Sequence, residues 1–316
     1  MGLPQVRAAA EILAGVAVRT PLLTSGWSER LWLKPESLQP TGAFKLRGAY
    51  HAVARLPEPQ RKAGVVTHSS GNHGQALAWA ARAFGIPCVV VMPDVAPAHK
   101  IAAVRRLGAE VVLVPPAQRA ERAASLAAER GLQPVPPFDH PDVIAGQGTV
   151  GLEIVADLPV DVVLVPVGGG GLASGVATAV TALAPKAAVI GVEPALAADA
   201  RESFDAGELR SWPDERTYRT VADGLRTQLS ELTWAHLRAR LAGIVTVDED
   251  EILETAGALM RDARLVVEPS GAVAAAAFRH RRAELPGGRS VAVVSGGNAD
   301  PGLLARLCGA LSAPPT

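Results

Sequence analysis

The chain has 316 residues, and its 31 lysines and arginines balance its 31 aspartates and glutamates, so the formal net charge is zero. This balance argues against a nucleic-acid binder or a polybasic membrane binder, both of which need excess positive charge. Only two cysteines occur and the N-terminus lacks a basic, apolar leader, so neither a disulfide framework nor a secretory signal is expected. We therefore expect a cytoplasmic protein.

Short valine-rich runs alternate with alanine-rich stretches of helical spacing along most of the chain. The predicted strands are 64–68, 86–92, 109–115, 160–167, 188–194 and 289–297, and the predicted helices between them include 74–85, 98–108, 120–131 and 172–184. A capping box formed by Asp248 and Glu251 predicts a further helix start. This alternation predicts an α/β fold with open, parallel-type sheets flanked by helices.

One segment, 162–185, is uncharged and long enough to span a membrane. Its run of four glycines and its two prolines favour a strand, a turn and a helix instead. Three small polar loops follow predicted strands: "SSGNHG" from Ser69, "GGGG" from Gly168 and "SGGN" from Ser295. Because ligands bind at the carboxyl ends of strands in open α/β sheets, these loops predict a ligand-binding site.

Four consecutive glycines, Gly168, Gly169, Gly170 and Gly171, precede a predicted helix that begins near Leu172. They are either a tight turn or a phosphate cradle, and one or two glycines would suffice for a turn. Lys45 follows small and apolar residues. It is either an exposed lysine or a lysine whose pKa is lowered so that it can form a Schiff base. Together, a phosphate cradle and such a lysine describe a pyridoxal phosphate site.

The motifs "SLQPTGAFKLRGA", "VVTHSSGNHGQALAWAA", "VIAGQGTVGLEI", "VPVGGGGLASG", "GVEP" and "VVSGGN" resemble those of the fold type II pyridoxal phosphate enzymes, the tryptophan synthase β-like group. Within that group the chain looks like the serine/threonine dehydratase and serine racemase branch. The resemblance covers nearly the whole chain. It implies two domains, a large cofactor-binding domain of residues 1–56 and 140–316 and a small mobile domain of residues 57–139, and it implies a homodimer.

The resemblance also implies roles for single residues. Lys45 would hold the cofactor and move the α-proton of the substrate, with Phe44 beside it, and Ser295 would face the pyridine nitrogen. The phosphate would be bound by Gly168, Gly169, Gly170, Gly171 and Leu172. The substrate carboxylate would be bound by Ser69, Ser70, Asn72 and His73, of which Asn72 would also bind the 3′-oxygen of the cofactor. For Ser69–His73 the alternative is an ordinary helix cap, and His73 alone would more often be structural.

A divalent-cation site is implied as well, formed by Glu193, Ala197 and Asp199 in "EPALAAD". Two carboxylates and a backbone carbonyl suit a hard cation such as Mg²⁺ or Ca²⁺. Without the resemblance, two acidic residues in a loop are usually just solvated.

The expected activity is deamination of L-threonine and/or L-serine to 2-oxobutyrate or pyruvate by α,β-elimination. The alternatives are a serine racemase, for which Ser70 would supply the second proton, and a 3-hydroxyaspartate dehydratase or racemase. Phe138 stands where animal serine racemases have asparagine, and Glu121 falls where they carry an arginine, flanked here by Arg119 and Arg122. Phe138 fits the dehydratase pattern, and both departures argue against a dedicated serine racemase. They also leave open a substrate with a second carboxylate, such as 3-hydroxyaspartate, which would need a nearby arginine. A non-catalytic protein that binds the cofactor is the rival class.

Overall fold

The computed structural model describes residues 1–69 and 71–309. Its strands are β1 Leu23–Thr24, β2 Leu31–Pro35, β3 Val65–His68, β4 Cys88–Pro93, β5 Glu110–Val114, β6 Gln133–Pro134, β7 Val162–Pro166, β8 Ala188–Pro194, β9 Gly243–Val247 and β10 Ser290–Val294. Its α-helices are α1 Leu3–Leu13, α2 Lys45–Arg55, α3 Glu58–Ala63, α4 Asn72–Phe84, α5 Ala98–Arg106, α6 Arg119–Arg130, α7 Pro141–Asp157, α8 Gly171–Leu183, α9 Asp199–Ala206, α10 Asp214–Thr217, α11 Glu231–Arg240, α12 Glu249–Asp262, α13 Pro269–His280 and α14 Pro301–Gly309.

The strands of the described residues form two sheets. The larger has the order β1-β2-β10-β7-β8-β9 and the smaller has the order β5-β4-β3-β6. All neighbouring strands are parallel except β1, which pairs antiparallel with β2. The predicted α/β fold with parallel sheets is therefore confirmed. β1, β2, β6 and β9 were not predicted; β1 and β6 are only two residues long and β2 contains a lysine, so these three do not form valine-rich runs.

Apolar side chains cover both faces of the larger sheet. One face packs against α12 and α13, with residues such as Ile252 and Val273 in its core. The opposite face packs against α8 and α11, with Val176 and Leu237 among the buried residues. Because helices cover both faces, the central strands are valine-rich throughout rather than alternating.

Helices α7 and α8 pack closely because small residues face each other. A Cβ placed on Gly175 of α8 would lie 2.4 Å from the carbonyl oxygen of Ile144, and one on Gly148 of α7 would lie 2.9 Å from the carbonyl oxygen of Gly175. Both distances are shorter than any side chain tolerates. This contact explains Gly148 and Gly175 as positions where the two helices pack.

The uncharged segment 162–185 divides into β7, a glycine loop and α8, as expected. No helix among residues 1–69 and 71–309 is long and apolar enough to cross a membrane. All four strands of the smaller sheet lie between residues 65 and 134, inside the predicted small domain. The domain boundaries at 57 and 139 stay a prediction, which this division of the strands supports.

Candidate active site

Three loops at the carboxyl ends of strands converge beside Lys45, the first residue of α2. The backbone N–H of Phe44 donates to the carbonyl oxygen of Ser295 at 3.1 Å, and Ala43 forms an isolated bridge with Gly296. The loop that carries Lys45 is therefore joined to the loop that follows β10. A parallel sheet brings such loops to one edge because all its strands end there.

The Lys45 side chain is partly buried, and its amine donates a hydrogen bond to the carbonyl oxygen of Pro137 at 2.6 Å. Burial lowers the pKa of this amine to about 8, because desolvation disfavours the charged form. The amine also lies 5.1 Å from the centre of the Phe44 ring. A lysine with this pKa is partly neutral at physiological pH and can act as a nucleophile or a base.

The glycine loop connects β7 to α8, as predicted. Gly170 adopts φ +82, a left-handed conformation that favours glycine. A Cβ on Gly169 would lie 2.5 Å from the ring of Phe138, so the loop also needs glycine for close approach. Among the described residues, the N–H groups of 168–172 have no hydrogen-bond acceptor. Free N–H groups at a helix start are what a phosphate requires.

Pro137 and Phe138 connect the two halves of the site. Pro137 accepts the hydrogen bond from Lys45, and Phe138 packs against the glycine loop. Pro137 and Phe138 thus bring the lysine and the glycine loop together, although 123 positions separate Lys45 from Gly168 in sequence. Phe138 was singled out in the sequence as a departure from serine racemases, and its contact with Gly169 gives it a packing role.

Asn72 begins α4 and contacts two residues from the larger-sheet side of the chain. Its Nδ2 donates to Oε1 of Glu268 at 2.5 Å, and its Oδ1 accepts from Nδ2 of Asn298 at 2.7 Å. Sequence reasoning gave neither Glu268 nor Asn298 a role. The only sequence signal for Glu268 is an acidic residue directly before the Pro269 helix start in an otherwise apolar stretch. Burial, with the negative charge of Asp223 adding to it, raises the pKa of Glu268 to about 7.

Ser295 follows β10 and is buried, and its hydroxyl donates to the carbonyl oxygen of Ser270 at 3.3 Å. A hydroxyl is a neutral partner for a ring nitrogen, unlike a carboxylate. Ser69 follows β3, and its hydroxyl accepts from the N–H of Gly71 at 3.3 Å. Ser70 lies outside the described residues.

His73 is buried in the first turn of α4. Its Nε2 lies 2.9 Å from the carbonyl oxygen of Val135. Burial, together with the positive charge of Lys45, lowers the pKa of the imidazole to about 3, so the ring is neutral. A neutral, buried ring bound to the backbone favours a structural role for the side chain. Binding of a substrate carboxylate by His73 stays a prediction. The backbone N–H of His73, and not its imidazole, would make that contact.

The predicted cation ligands lie together at the end of β8 and the start of α9. The carboxylate of Glu193 accepts from the N–H groups of Ala200 at 3.1 Å and Arg201 at 2.7 Å. Asp199 Oδ2 is buried without a hydrogen-bond partner. Burial raises the pKa of Glu193 well above its usual range, with Asp199 adding to the effect, and burial raises that of Asp199 to about 6. Ala197 lies in the turn between them.

The buried carboxylates of Glu193 and Asp199 repel each other, which indicates that the site has too little positive charge to balance them. No group of three or more histidine, cysteine, aspartate or glutamate side chains that could hold a metal occurs in the described part of the chain. The expected set has only two side chains and one carbonyl, so its role stays a prediction.

The basic residues near Glu121 have different surroundings. Glu121 itself is exposed, and Arg122 pairs with Glu129 on the surface of α6. Arg119 instead donates to the hydroxyl of Tyr218 at 3.0 Å. The guanidinium of Arg226 lies 5.3 Å from the centre of the same tyrosine ring. Arg119 is therefore the arginine that reaches from the smaller-sheet side toward the larger.

Comparison with known proteins agrees with this geometry. The model of the family described as "Pyridoxal-phosphate dependent enzyme" matches residues 14–296. The chain belongs to this family. Pyridoxal phosphate is therefore its cofactor, and the recognition made from the motifs is confirmed.

The relatives of the enzyme fall in the branch predicted from the sequence. It is 42% identical over 301 residues to an L-threo-3-hydroxyaspartate ammonia-lyase of Pseudomonas sp, in an alignment that covers 92% of this chain and 93% of the relative. The crystal structure of the threonine deaminase of T.th. superposes with a TM-score of 0.88 at 44% identity, covering 95% of this chain and 99% of the other. Maize serine racemase superposes with a TM-score of 0.91 at 34% identity, covering 96% of both chains.

The residues present fit the cofactor. The free N–H groups at the start of α8 suit its phosphate, and the partly neutral amine of Lys45 suits its aldehyde. The amide of Asn72 and the hydroxyl of Ser295 are neutral polar groups on loops that are tied to the loop before Lys45, through Asn298 and through the N–H of Phe44. Lys45, Asn72 and Ser295 were each chosen from the sequence, and the structure brings their loops together.

Proposed function

We propose that the enzyme deaminates L-threonine and/or L-serine to 2-oxobutyrate or pyruvate and ammonia by α,β-elimination. The observation that supports this most strongly is the amine of Lys45, whose pKa burial lowers to about 8, on a loop that is hydrogen-bonded to the loop of the neutral Ser295. A neutral partner at the ring nitrogen favours loss of a β-substituent over chemistry that needs a longer-lived carbanion. The threonine deaminase of T.th., at 44% identity, is consistent with this activity.

Bound pyridoxal phosphate supplies an electron sink that makes the α-proton of an amino acid acidic. In the proposed reaction, Nζ of Lys45 takes this proton and the β-hydroxyl leaves as water. The released product tautomerises to an imine, which a water molecule hydrolyses to the 2-oxo acid and ammonia. The N–H groups of 168–172 would hold the phosphate, and Asn72 would donate to the 3′-oxygen. The hydroxyl of Ser69 and the N–H groups at the start of α4 hold the substrate carboxylate, so that the α-proton faces Lys45.

Two arginines support a second candidate, a 3-hydroxyaspartate ammonia-lyase or racemase. Arg119 and Arg226 both contact Tyr218, and among the described residues neither forms an ion pair with a carboxylate. A guanidinium without a carboxylate partner can bind the second carboxylate of such a substrate. The relative from Pseudomonas sp, at 42% identity, carries the name L-threo-3-hydroxyaspartate ammonia-lyase.

A substrate panel distinguishes the candidates. The holoenzyme is assayed for 2-oxo acid release with L-serine, L-threonine and both 3-hydroxyaspartates, and for chiral inversion of L- and D-serine. Arg226→Met and Arg119→Met should each lower kcat/KM for 3-hydroxyaspartate by about tenfold or more, because a charge-assisted hydrogen bond contributes about 1.5–3 kcal/mol. Arg122→Met, which removes a surface arginine, is the matched control. Equal losses for L-threonine would contradict the carboxylate role.

Racemisation requires a second acid on the opposite face of the reacting carbon. Ser70 is the residue proposed for it, and a Ser70→Ala variant that racemises serine as fast as the parent would exclude that role. The rival, a protein that binds the cofactor without catalysis, is excluded by any turnover that Lys45→Ala abolishes.

We further propose that Glu193, the carbonyl of Ala197 and Asp199 bind Mg²⁺ or Ca²⁺. A cation would relieve the repulsion between two buried carboxylates, one of which has a free oxygen. Mg²⁺ added after chelation should raise the melting temperature at pH 8. The gain should shrink as the pH falls through about 6, because Asp199 then becomes protonated and competes with the metal. Asp199→Asn should remove the response, and an unchanged response would contradict this site.

The proposed assembly is a homodimer in the cytoplasm, with residues 57–139 moving as a unit over the substrate. The resemblance of the whole chain to the family supports it. Sedimentation equilibrium of the purified holoenzyme tests the dimer, and a monomer at micromolar concentration would contradict it.

A further inference from the structure

The side-chain amide of Asn72 is held on both sides by residues outside its own helix. Its Oδ1 accepts a hydrogen bond from Nδ2 of Asn298 at 2.7 Å, and its Nδ2 donates to Oε1 of Glu268 at 2.5 Å. Nδ2 of Asn298 also donates to the carbonyl oxygen of Thr41 at 2.8 Å. Asn298 thus ties Asn72 to the loop that precedes Lys45.

The Thr41 carbonyl decides the orientation of both amides. A backbone carbonyl can only accept, so the atom of Asn298 that faces it must be the amide nitrogen. The same nitrogen faces Asn72, so Asn72 must turn its oxygen toward Asn298. The nitrogen of Asn72 is then directed to the opposite side, where Glu268 accepts one of its two hydrogens.

The free side of this nitrogen borders the loop that carries Ser295. A Cβ placed on Gly296 would lie 2.3 Å from Oε1 of Glu268 and 3.1 Å from Nδ2 of Asn72. It would also lie 3.2 Å from the Cβ of Ala43, two residues before Lys45. The contact between Asn72 and Glu268 therefore lies against Gly296, which follows Ser295, and close to the loop that precedes Lys45.

We propose that Asn298 and Glu268 are positioning residues that make Asn72 present an N–H, rather than its carbonyl, to the 3′-oxygen of pyridoxal phosphate. The inference rests on the proposed role of Asn72. Glu268 takes one hydrogen of Nδ2 and leaves the other for the cofactor. A reversed amide would instead direct a carbonyl oxygen at an electron-rich oxygen and repel it. The carboxyl of Glu268 can accept whether or not it is protonated.

The test measures cofactor binding rather than turnover. Apoprotein variants are titrated with pyridoxal phosphate, and the dissociation constant and the visible absorbance spectrum of the bound cofactor are recorded. Asn298→Asp is the decisive variant, because a carboxylate has no hydrogen to donate to Asn72. It should turn the Asn72 nitrogen toward residue 298 and weaken cofactor binding by about tenfold or more. Asn298→Ala, which leaves the Asn72 amide able to adopt either orientation, should weaken cofactor binding less.

A merely structural role for Asn298 predicts that Asn298→Asp, whose carboxylate also faces the Thr41 carbonyl, weakens cofactor binding as much in the Asn72→Ala background as in the parent. Equal losses in the two backgrounds, or a loss for Asn298→Ala that matches or exceeds that of Asn298→Asp, would overturn the proposal. Glu268→Gln keeps an acceptor oxygen and should restore most of the affinity that Glu268→Ala loses. Two equally weak Glu268 variants would show that charge, not orientation, is what Glu268 supplies.

The variant Asn72→Ala separates this inference from the proposed role of Asn72. If Asn72→Ala changes neither affinity nor spectrum, the role of Asn72 fails and the inference fails with it. If Asn72→Ala weakens binding, Asn298→Ala should add nothing in that background, because both changes remove one interaction. Additive losses would overturn the inference alone. Circular dichroism of the apoproteins checks folding. If Asn298→Asp does not fold, the comparison of Asn298→Ala in the parent and in the Asn72→Ala background tests the inference.

Discussion

The amine of Lys45 is both hydrogen-bonded to the backbone and lowered in pKa, and burial of the side chain accounts for the second property. The amine is held by the carbonyl oxygen of Pro137 at 2.6 Å, and desolvation lowers its pKa to about 8. Within the described residues no carboxylate forms an ion pair with it. A carboxylate partner would have kept the lysine protonated, so burial without such a partner leaves the amine reactive near neutral pH.

The rate at which the apoprotein captures pyridoxal phosphate should therefore rise with pH and level off above about 8, because only the neutral amine attacks the aldehyde. Stopped-flow absorbance over pH 6–10 measures this rate. Lys45→Ala should show no covalent capture at any pH. A rate that still climbs steeply near pH 10 would indicate an ordinary exposed lysine.

Helix α2, which begins at Lys45, is anchored by a buried cluster of four charges. Arg47 is 1% exposed and contacts Glu36 through two nitrogens, each at 2.8 Å. It also donates to Glu153 at 2.6 Å, and Lys34 donates to the other oxygen of Glu153 at 2.5 Å. Burial opposes ionisation of Glu36, but the positive charge of Arg47 outweighs it and lowers the pKa of this carboxyl. Removal of any one of the four side chains would leave a charge in the cluster without its partner.

Arg47→Met should lower the free energy of unfolding by about 3–5 kcal/mol, because it leaves a buried carboxylate without its partner. Arg55→Met is the matched control on the same helix, where the arginine is 60% exposed and 3.8 Å from Asp142, and it should cost less than about 0.5 kcal/mol. Urea unfolding of the apoproteins measures both.

The pH dependence of this loss has a definite sign. In the parent, the lowered pKa of Glu36 contributes stability above its unfolded pKa, and that contribution is lost as pH falls through the folded pKa. In Arg47→Met, burial alone would raise the pKa of Glu36. The difference between the two proteins should therefore shrink from pH 7 toward pH 4, and a constant difference would contradict the electrostatic explanation.

At the scale of the whole molecule, polar contacts connect the part of the chain that forms the smaller sheet to the part that forms the larger one. Lys100 of α5 donates to Asp223 at 2.5 Å, Arg119 donates to Tyr218 at 3.0 Å, and Ser230 donates to Asp139 at 2.7 Å. These contacts are made by partly exposed side chains, which suits a junction that opens and closes.

Lys100→Met and Asp223→Asn should each lower kcat/KM by up to about fivefold, the range expected of a partly exposed ion pair. The double variant should be no worse than the single ones, because both changes remove the same contact. Lys62→Met, which removes an exposed pair within α3, is the control. Steady-state kinetics with the preferred substrate measures the four variants and the parent, and fully additive losses would show that the two residues act separately.

The sequence by itself determined the fold class and the chemistry of the site. Valine-rich runs mark the central strands because helices cover both faces of the larger sheet. The glycine run marks the predicted phosphate loop, where glycine allows the approach of Phe138 and the φ of Gly170. Lys45, Asn72 and Ser295 could be chosen because each stands in a local motif that keeps its meaning without long-range contacts.

Only the tertiary structure decided which residues surround that site. Glu268 and Asn298 lie 196 and 226 positions from the residue they contact, Asn72. The lowered pKa of Lys45 likewise depends on burial by distant segments. Local sequence specifies backbone conformation and residue type, whereas partners across two sheets, and the desolvation they cause, arise only when the chain has folded.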